Sequence, residues 1–335
     1  MHSLVFFERK NHIKKHFFKT FFCLLLTIFC LTKKVTAQSF GEQTRQEKIA
    51  IGLHTGFAGF LGDVASVRRS GSHIVPTVYW QELRPYASLS LQYSLNQRFT
   101  LQTFASYIVL KGDDKAIEYD EVYDSNWFLH YRNLNFTSNV LEIKTQLDIK
   151  ALQYKFISNQ ILSLHFQLGL GAFYFNPKTT YFNSSTGRND WVLLRNLGTE
   201  GQGLPSYPSR KKYNLFQVNI PLGSSIMFQI NEAWKVGLEW SHRITFTDYI
   251  DDVSTEYVAS DLFFEHYDTE TAALASALSR RSVEIDADNE FGFVTEAGQI
   301  RGSSTYDDAY FTLGICLIKR LNARKDKGYH DCFGF

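Results

Sequence analysis

Four groups of residues in this chain of 335 have types and spacings that chemistry could use. His165, with Ser163 two positions before it and Glu142 further upstream, offers the base and nucleophile of a membrane acyl hydrolase, since imidazole can take the hydroxyl proton as serine attacks an ester. Such enzymes act on lipid at the outer rim of a barrel. His165 instead sits at an inward position of its strand and is expected to be structural. Asp248, Asp251, Asp252 and Glu256 crowd one segment and could supply oxygen ligands to calcium. They lack the glycine-punctuated spacing of a calcium loop, so a solvated rim turn is expected. The run Leu197-Gly198-Thr199-Glu200-Gly201-Gln202-Gly203 holds too much glycine for a strand, and it neither follows a strand nor opens a helix as a nucleotide cradle would. It reads as a loop folded over its neighbours. Finally, Glu142, Lys144, Asp148, Lys235, Glu239 and Arg243 alternate in sign on candidate strands, as a structural network of paired charges would. There is no nucleophile elbow and no metal-spaced His or Cys set, so no catalytic residue, metal or cofactor is expected and the chain reads as a non-enzyme.

The elements that must position these residues are strands. Between 141 and 149, Leu141, Ile143, Leu147 and Ile149 share one face while Glu142, Lys144, Gln146 and Asp148 share the other. The same alternation recurs in eight stretches: 47–60, 84–94, 99–110, 141–149, from 162 to about 175, 215–230, 234–246 and 309–321. Connections alternate between short turns, such as Leu95-Asn96-Gln97 and Asn231-Glu232, and long loops over 61–83, 111–137, 176–213 and 247–308. The last loop should hold a short helix over 271–279, capped by Asp268 or Thr269. This layout predicts an all-β fold, an eight-stranded antiparallel transmembrane β-barrel with short periplasmic turns and long extracellular loops. Such a barrel is filled by its own side chains, so an open pore is not expected.

The chain begins with a basic segment (Arg9, Lys10, Lys14, Lys15, Lys19), an apolar run over 21–31 and Val35-Thr36-Ala37, the pattern of a cleaved signal peptide. The expected organisation is therefore a signal peptide over 1–37, a periplasmic segment over 38–46, the barrel over 47–321 and a periplasmic tail over 322–335. Residues 1–37 hold seven of the 35 basic residues and one of the 34 acidic ones, leaving the mature chain at net −5. That balance removes the electrostatic footprint of a nucleic-acid binder. Mean hydropathy is −0.21 although 16% of residues are aromatic, as expected when each lipid-facing residue is followed by a luminal one. Two cysteines remain after the signal. Cys316 falls on a luminal position, and Cys332, in the tail, is expected to be a free or intermolecular thiol available to a periplasmic partner.

Several short runs carry a family resemblance. Gly56-Phe57-Ala58-Gly59-Phe60-Leu61-Gly62-Asp63, Arg84-Pro85, Lys111-Gly112-Asp113-Asp114 and Arg132-Asn133-Leu134-Asn135-Phe136 are followed, in order, by Phe175-Asn176-Pro177-Lys178, 197–203 and Ile220-Pro221-Leu222-Gly223. Thr247-Asp248-Tyr249-Ile250-Asp251-Asp252-Val253-Ser254 and Arg301-Gly302 complete the series. Together they resemble the PorG-type family of outer-membrane barrels, which includes a component of the type IX secretion system. The resemblance implies a non-catalytic barrel that tethers a periplasmic lipoprotein and other ring components to the outer membrane. A small stand-alone outer-membrane barrel acting as a narrow ion or solute channel or as a structural protein, and a rim lipid hydrolase, are the alternatives.

Overall fold

A computed structural model describes residues 48–65, 80–156, 160–183 and 186–321; the expected signal peptide, the 38–46 segment and the tail with Cys332 lie outside them. The alternating stretches form β1 (Ile49–Leu61), β2 (Arg84–Ser94), β3 (Phe99–Asp113), β4 (Asn135–Lys155), β5 (Ile161–Tyr174), β8 (Phe216–Gln229), β9 (Trp234–Thr245) and β10 (Ala309–Arg320). A hairpin of β6 (Pro177–Asn183) and β7 (Arg188–Leu193) extends the sheet beside the end of β4. The sheet order is β3-β2-β1-β10-β9-β8-β5-β4, and β4 pairs back onto β3 from Phe99↔Ile149 to Asp113↔Asn135. All these pairings are antiparallel, so the eight strands close into a barrel.

Side-chain parity sets what each face meets. Ile49, Ile51 and Leu53 of β1 point outward and are exposed, while Ala50, Gly52 and His54 point into the lumen and are buried. Leu89, Leu91, Ile143, Leu170, Val218, Leu238 and Ile315 continue the exposed apolar belt around the barrel. Aromatic residues rim it, with Tyr93, Tyr154 and Trp234 towards the short turns and Tyr107, Tyr174 and Phe216 towards the long loops. An apolar belt with aromatic rims and a polar interior is the surface of a barrel that crosses a bilayer. None of the described helices is long and apolar enough to cross a membrane.

Two short turns use one device. Asn96 Oδ1 accepts from the backbone N–H groups of Arg98 and Phe99, at 2.8 and 2.9 Å, and Asn231 Oδ1 does the same for Ala233 and Trp234, at 2.9 Å each. Asparagine thereby reverses the chain without a second element.

The long loops hold more structure than turn residues suggest. Residues 111–113 and 135–137, expected to be loop, extend β3 and β4. Lys111, Gly112 and Asp113, and Asn135 and Thr137 opposite them, break the apolar alternation, but the backbone ladder continues past the belt because it needs only N–H and C=O groups. The same loop forms α1 (Ser125–Arg132), capped by Asp124, whose Oδ1 accepts from Trp127 N. The third loop contains the β6–β7 hairpin and the helical turn α2 (Leu194–Leu197). In the fourth, α3 (Asp261–His266) precedes α4 (Thr269–Ser279), and Asp268 Oδ1 caps α4 by accepting from Thr271 N at 3.0 Å. Leu134, Leu197, Ile250, Phe263 and Leu278 are all at most 4% exposed and share one apolar cluster with Ile108, Val140 and Tyr310 of the strands. The loops thus form a packed cap whose core is continuous with the barrel interior.

Candidate functional site

Six of the nine resemblance motifs contribute residues to a buried charged hub at the base of the cap. Asp114 receives Arg132 side-on, Nε to Oδ2 at 2.8 Å and Nη2 to Oδ1 at 2.9 Å, and also accepts from the backbone N–H groups of Ala65 and Leu134. Arg132 continues to the carbonyl oxygens of Asp63 and Arg301, at 2.8 and 2.6 Å. Arg301 in turn donates to Glu200 Oε1 at 2.9 Å and to the Asp252 carbonyl at 2.7 Å. Glu200 also takes the N–H groups of Ser254 and Thr255, so the 197–203 run ties the longest loop down. Gly198 and Gly201 lie at φ +62° and +78°, which explains why this run needs glycine.

The aspartates at the start of the longest loop are buried, which overturns the expectation of a solvated rim turn. Asp251 and Asp252 are at most 1% exposed and Asp248 is 7% exposed; Glu256 alone of the four is exposed, paired with Arg210 at 3.3 Å. Asp251 accepts from the N–H groups of Asp63, Val64 and Val253, stitching the end of β1 to this loop. Asp252 holds a left-handed backbone at φ +67° and accepts from Thr199 and Tyr213 hydroxyls. Seven buried carboxylates gather in this part of the cap, Asp63, Asp114, Glu200, Asp248, Asp251, Asp252 and Asp308, and among the described residues Arg132 and Arg301 bond directly to two of them. Burial, followed by the charge of Asp63, pushes Asp251 up to about 8. Burial raises Asp252 to about 6, and burial with the charges of Asp251, Asp248 and Asp63 raises Asp308 well above the ordinary carboxylate range. The cause is common to all three, because neighbouring carboxylates in a dry site resist ionising together. Sequence reading missed the hub because Asp63, Asp114, Arg132 and Glu200 come from three other loops, far in sequence from the members in 247–308.

Below the hub the lumen is filled. Glu142, Lys144, Asp148, Glu239 and Arg243 are buried and luminal, whereas Lys235 is partly exposed near the short turns. Their partners differ from the sign alternation along the strands. Only Glu142 and Arg243 of the six pair directly among the described residues, with Nη2 3.0 Å from Oε2. Lys144 lies over the Phe104 ring at 4.4 Å, Asp148 meets His165, and Glu239 faces His54. Barrel stagger, not distance along the strand, decides which inward residues share a level.

His165 lies in the lumen as its parity requires. Its Nδ1 donates to Asp148 Oδ1 at 2.7 Å, and its Nε2 is 2.8 Å from Ser163 Oγ, which is the order of a serine hydrolase relay. Glu142, the other partner considered, belongs to Arg243 instead. The relay lacks the remaining parts of that machinery. Ser163 sits in the ladder between Gln153 and Met227, where its backbone is committed to strand pairing and not turned towards an oxyanion. Gln167 Nε2 bridges Asp148 Oδ2 and Ser225 Oγ, extending the relay into a closed hydrogen-bond chain across β4, β5 and β8.

Fold and interior define a class: a closed eight-stranded transmembrane barrel with a plugged lumen and a packed cap. No protein-family model matches the chain, and no curated protein matches it. Among solved structures, the chain is similar to Ail, the attachment invasion locus protein of Yersinia pestis, in complex with the heparin analogue sucrose octasulfate. That likeness has 7% identity and a TM-score of 0.32, and it covers 82% of this chain and 100% of that one. It is also similar to Neisserial surface protein A, at 7% identity and a TM-score of 0.30 over 82% of this chain and 95% of that one.

Proposed function

We propose that the protein is a non-catalytic barrel of a bacterial outer membrane that serves as an anchor within a protein secretion machine of the type IX kind, holding a periplasmic lipoprotein and ring components at the membrane. The observation that carries the anchoring role is the plugged interior. The Glu142–Arg243 pair spans the lumen between β4 and β9 with both side chains at most 2% exposed, so the molecule offers surfaces and not a passage. The secretion role rests on the ordered motifs, and it is supported by the assembly of six of them into a single hub from Asp63 to Arg301. In this reading the short turns and the tail carrying Cys332 face the periplasm, with Cys332 as the thiol that a partner would meet.

The test is crosslinking in native envelopes with identification of the partners by mass spectrometry, joined to a deletion strain assayed for cargo secretion. Crosslinks to periplasmic components and lost secretion are expected. A barrel without such partners in a strain that still secretes would leave the alternative of a stand-alone structural barrel. For Cys332, a non-reducing gel should show a heavier species that vanishes in Cys332→Ser and persists in Cys316→Ser.

A further inference from the structure

We infer that the barrel lumen contains a binding site for a zinc-class divalent cation, formed by His54, Glu239 and Cys316. These residues come from β1, β9 and β10, the strands around the seam where the first strand meets the last. Their donor atoms all lie within 4.8 Å of one another, and all three side chains are buried. Imidazole, carboxylate and thiolate are the donor types from which zinc sites are assembled.

The histidine geometry carries the inference. His54 Nε2 is 2.9 Å from Ser90 Oγ, and the Phe104 ring packs edge-on against the imidazole at 4.9 Å, so the ring is held. A metal-bound histidine is oriented in this way, by a hydrogen bond at the nitrogen that does not bind the metal. The other nitrogen, Nδ1, has no hydrogen-bond partner among the described residues, yet it faces Glu239 Oε2 at 3.4 Å. The same lumen shows what a direct His–carboxylate bond looks like, since His165 and Asp148 close to 2.7 Å. A nitrogen and a carboxylate oxygen bound tetrahedrally to zinc, each about 2.1 Å from the metal, stand about 3.4 Å apart. His54 and Glu239 have that second spacing.

The sheet has also been left open at this point. Cys316 pairs with His54 on one side and Gly237 on the other, and Gly237 pairs with Met227. A Cβ at Gly237 would lie 2.3 Å from Met227 Sδ and 3.2 Å from Cys316 Sγ, so the glycine leaves room for both sulfurs. Met227 Sδ is 3.6 Å from Cys316 Sγ and is the nearest soft neighbour for a fourth position. Binding displaces the Cys316 thiol proton to solvent. Zinc with thiolate, carboxylate and neutral imidazole has no net charge, which suits a dry lumen. The bound ion would clamp the closing seam of the barrel.

The test uses the untagged barrel of residues 38–335 in detergent with Cys332→Ser, which leaves Cys316 as its sole thiol. Metal analysis after equilibration with Zn2+ and gel filtration should give one zinc per chain, and Co2+ should give a thiolate-to-cobalt charge-transfer band. Cys316→Ser should remove the band, His54→Ala should lower zinc affinity at least tenfold, and zinc should raise the temperature at which the folded gel band is lost. Folding of each variant is checked by that gel shift. If a variant does not fold, alkylation of Cys316 in the parent barrel decides, and it should be slowed by zinc and restored by a chelator. Less than stoichiometric zinc, a band surviving Cys316→Ser, or alkylation indifferent to zinc would overturn the site.

Discussion

Arg132 Nη1 donates to the carbonyl oxygen of Arg301 at 2.6 Å, joining two buried arginines of the cap, 169 positions apart. Each arginine also holds its own carboxylate, Asp114 for Arg132 and Glu200 for Arg301, so four loop segments depend on this contact. Truncating Arg301 to alanine should leave Glu200 buried without its partner, at a cost of about 3–5 kcal/mol to the cap. Limited proteolysis of the refolded barrel is the measurement. Rapid cutting in the 247–308 loop, with the heat-modifiable gel shift of the barrel retained, is expected, and a cap as resistant as the parent's would show that the hub is not what holds it.

The hub makes cap stability depend on pH. The carboxyl groups of Asp251, Asp252 and Asp308 titrate higher in the folded cap than in unfolded loops, so the folded cap binds more protons across this range. Stability conferred by these protons is complete below the ordinary carboxylate range near pH 4 and is lost as pH rises through about 6 and then about 8. Hydrogen exchange of the cap amides should therefore quicken from pH 5 to pH 9 beyond the intrinsic chemical rate. Asp251→Asn, which keeps an oxygen acceptor without the charge, should flatten that rise.

Exposure to lipid and exposure to water should separate cleanly. Leu89 is 64% exposed on the belt of β2, and Ile300 is 78% exposed in the cap. Arginine at Leu89 should cost about 2–4 kcal/mol near the bilayer midplane and impair assembly. The same change at Ile300 should alter stability by no more than about 0.5 kcal/mol. Equal effects in a urea titration of vesicle-embedded protein would mean that the belt does not face lipid.

A lumen crossed by Arg243 and Glu142 should not conduct. In planar bilayers the purified barrel is expected to give no discrete conductance steps, because opening it would leave two buried charges unpaired. Regular steps altered by Glu142→Gln would instead establish a gated ion path.

Ser163 should resist fluorophosphonate labelling, and the barrel should not deacylate lipid. The hydrogen bonds from Ser163 through His165 to Asp148 supply a base, but the strand backbone around Ser163 offers no turned N–H pair for an oxyanion. Labelling that disappears in His165→Ala would make the relay a working nucleophile.

The barrel, the face on which each strand residue lies, the two asparagine turns and the presence of α4, with Asp268 or Thr269 to cap it, were legible in the sequence. All of these are local. Period-two alternation assigns Ile51 outward and His54 inward without knowledge of any partner, and Asn96 acts on N–H groups two and three residues ahead of it. Tertiary structure decided which inward groups meet. Glu142 pairs with Arg243 and not with a neighbour on the strand, because closure and stagger set the levels of the lumen. Asp251 and Asp252 looked like solvated rim residues because their burial comes from two other loops, which reach them through Asp63 and through Thr199 and Tyr213. The His54, Glu239 and Cys316 cluster was equally hidden. No local spacing links positions 54, 239 and 316, and they become neighbours only when the last strand of the barrel closes against the first.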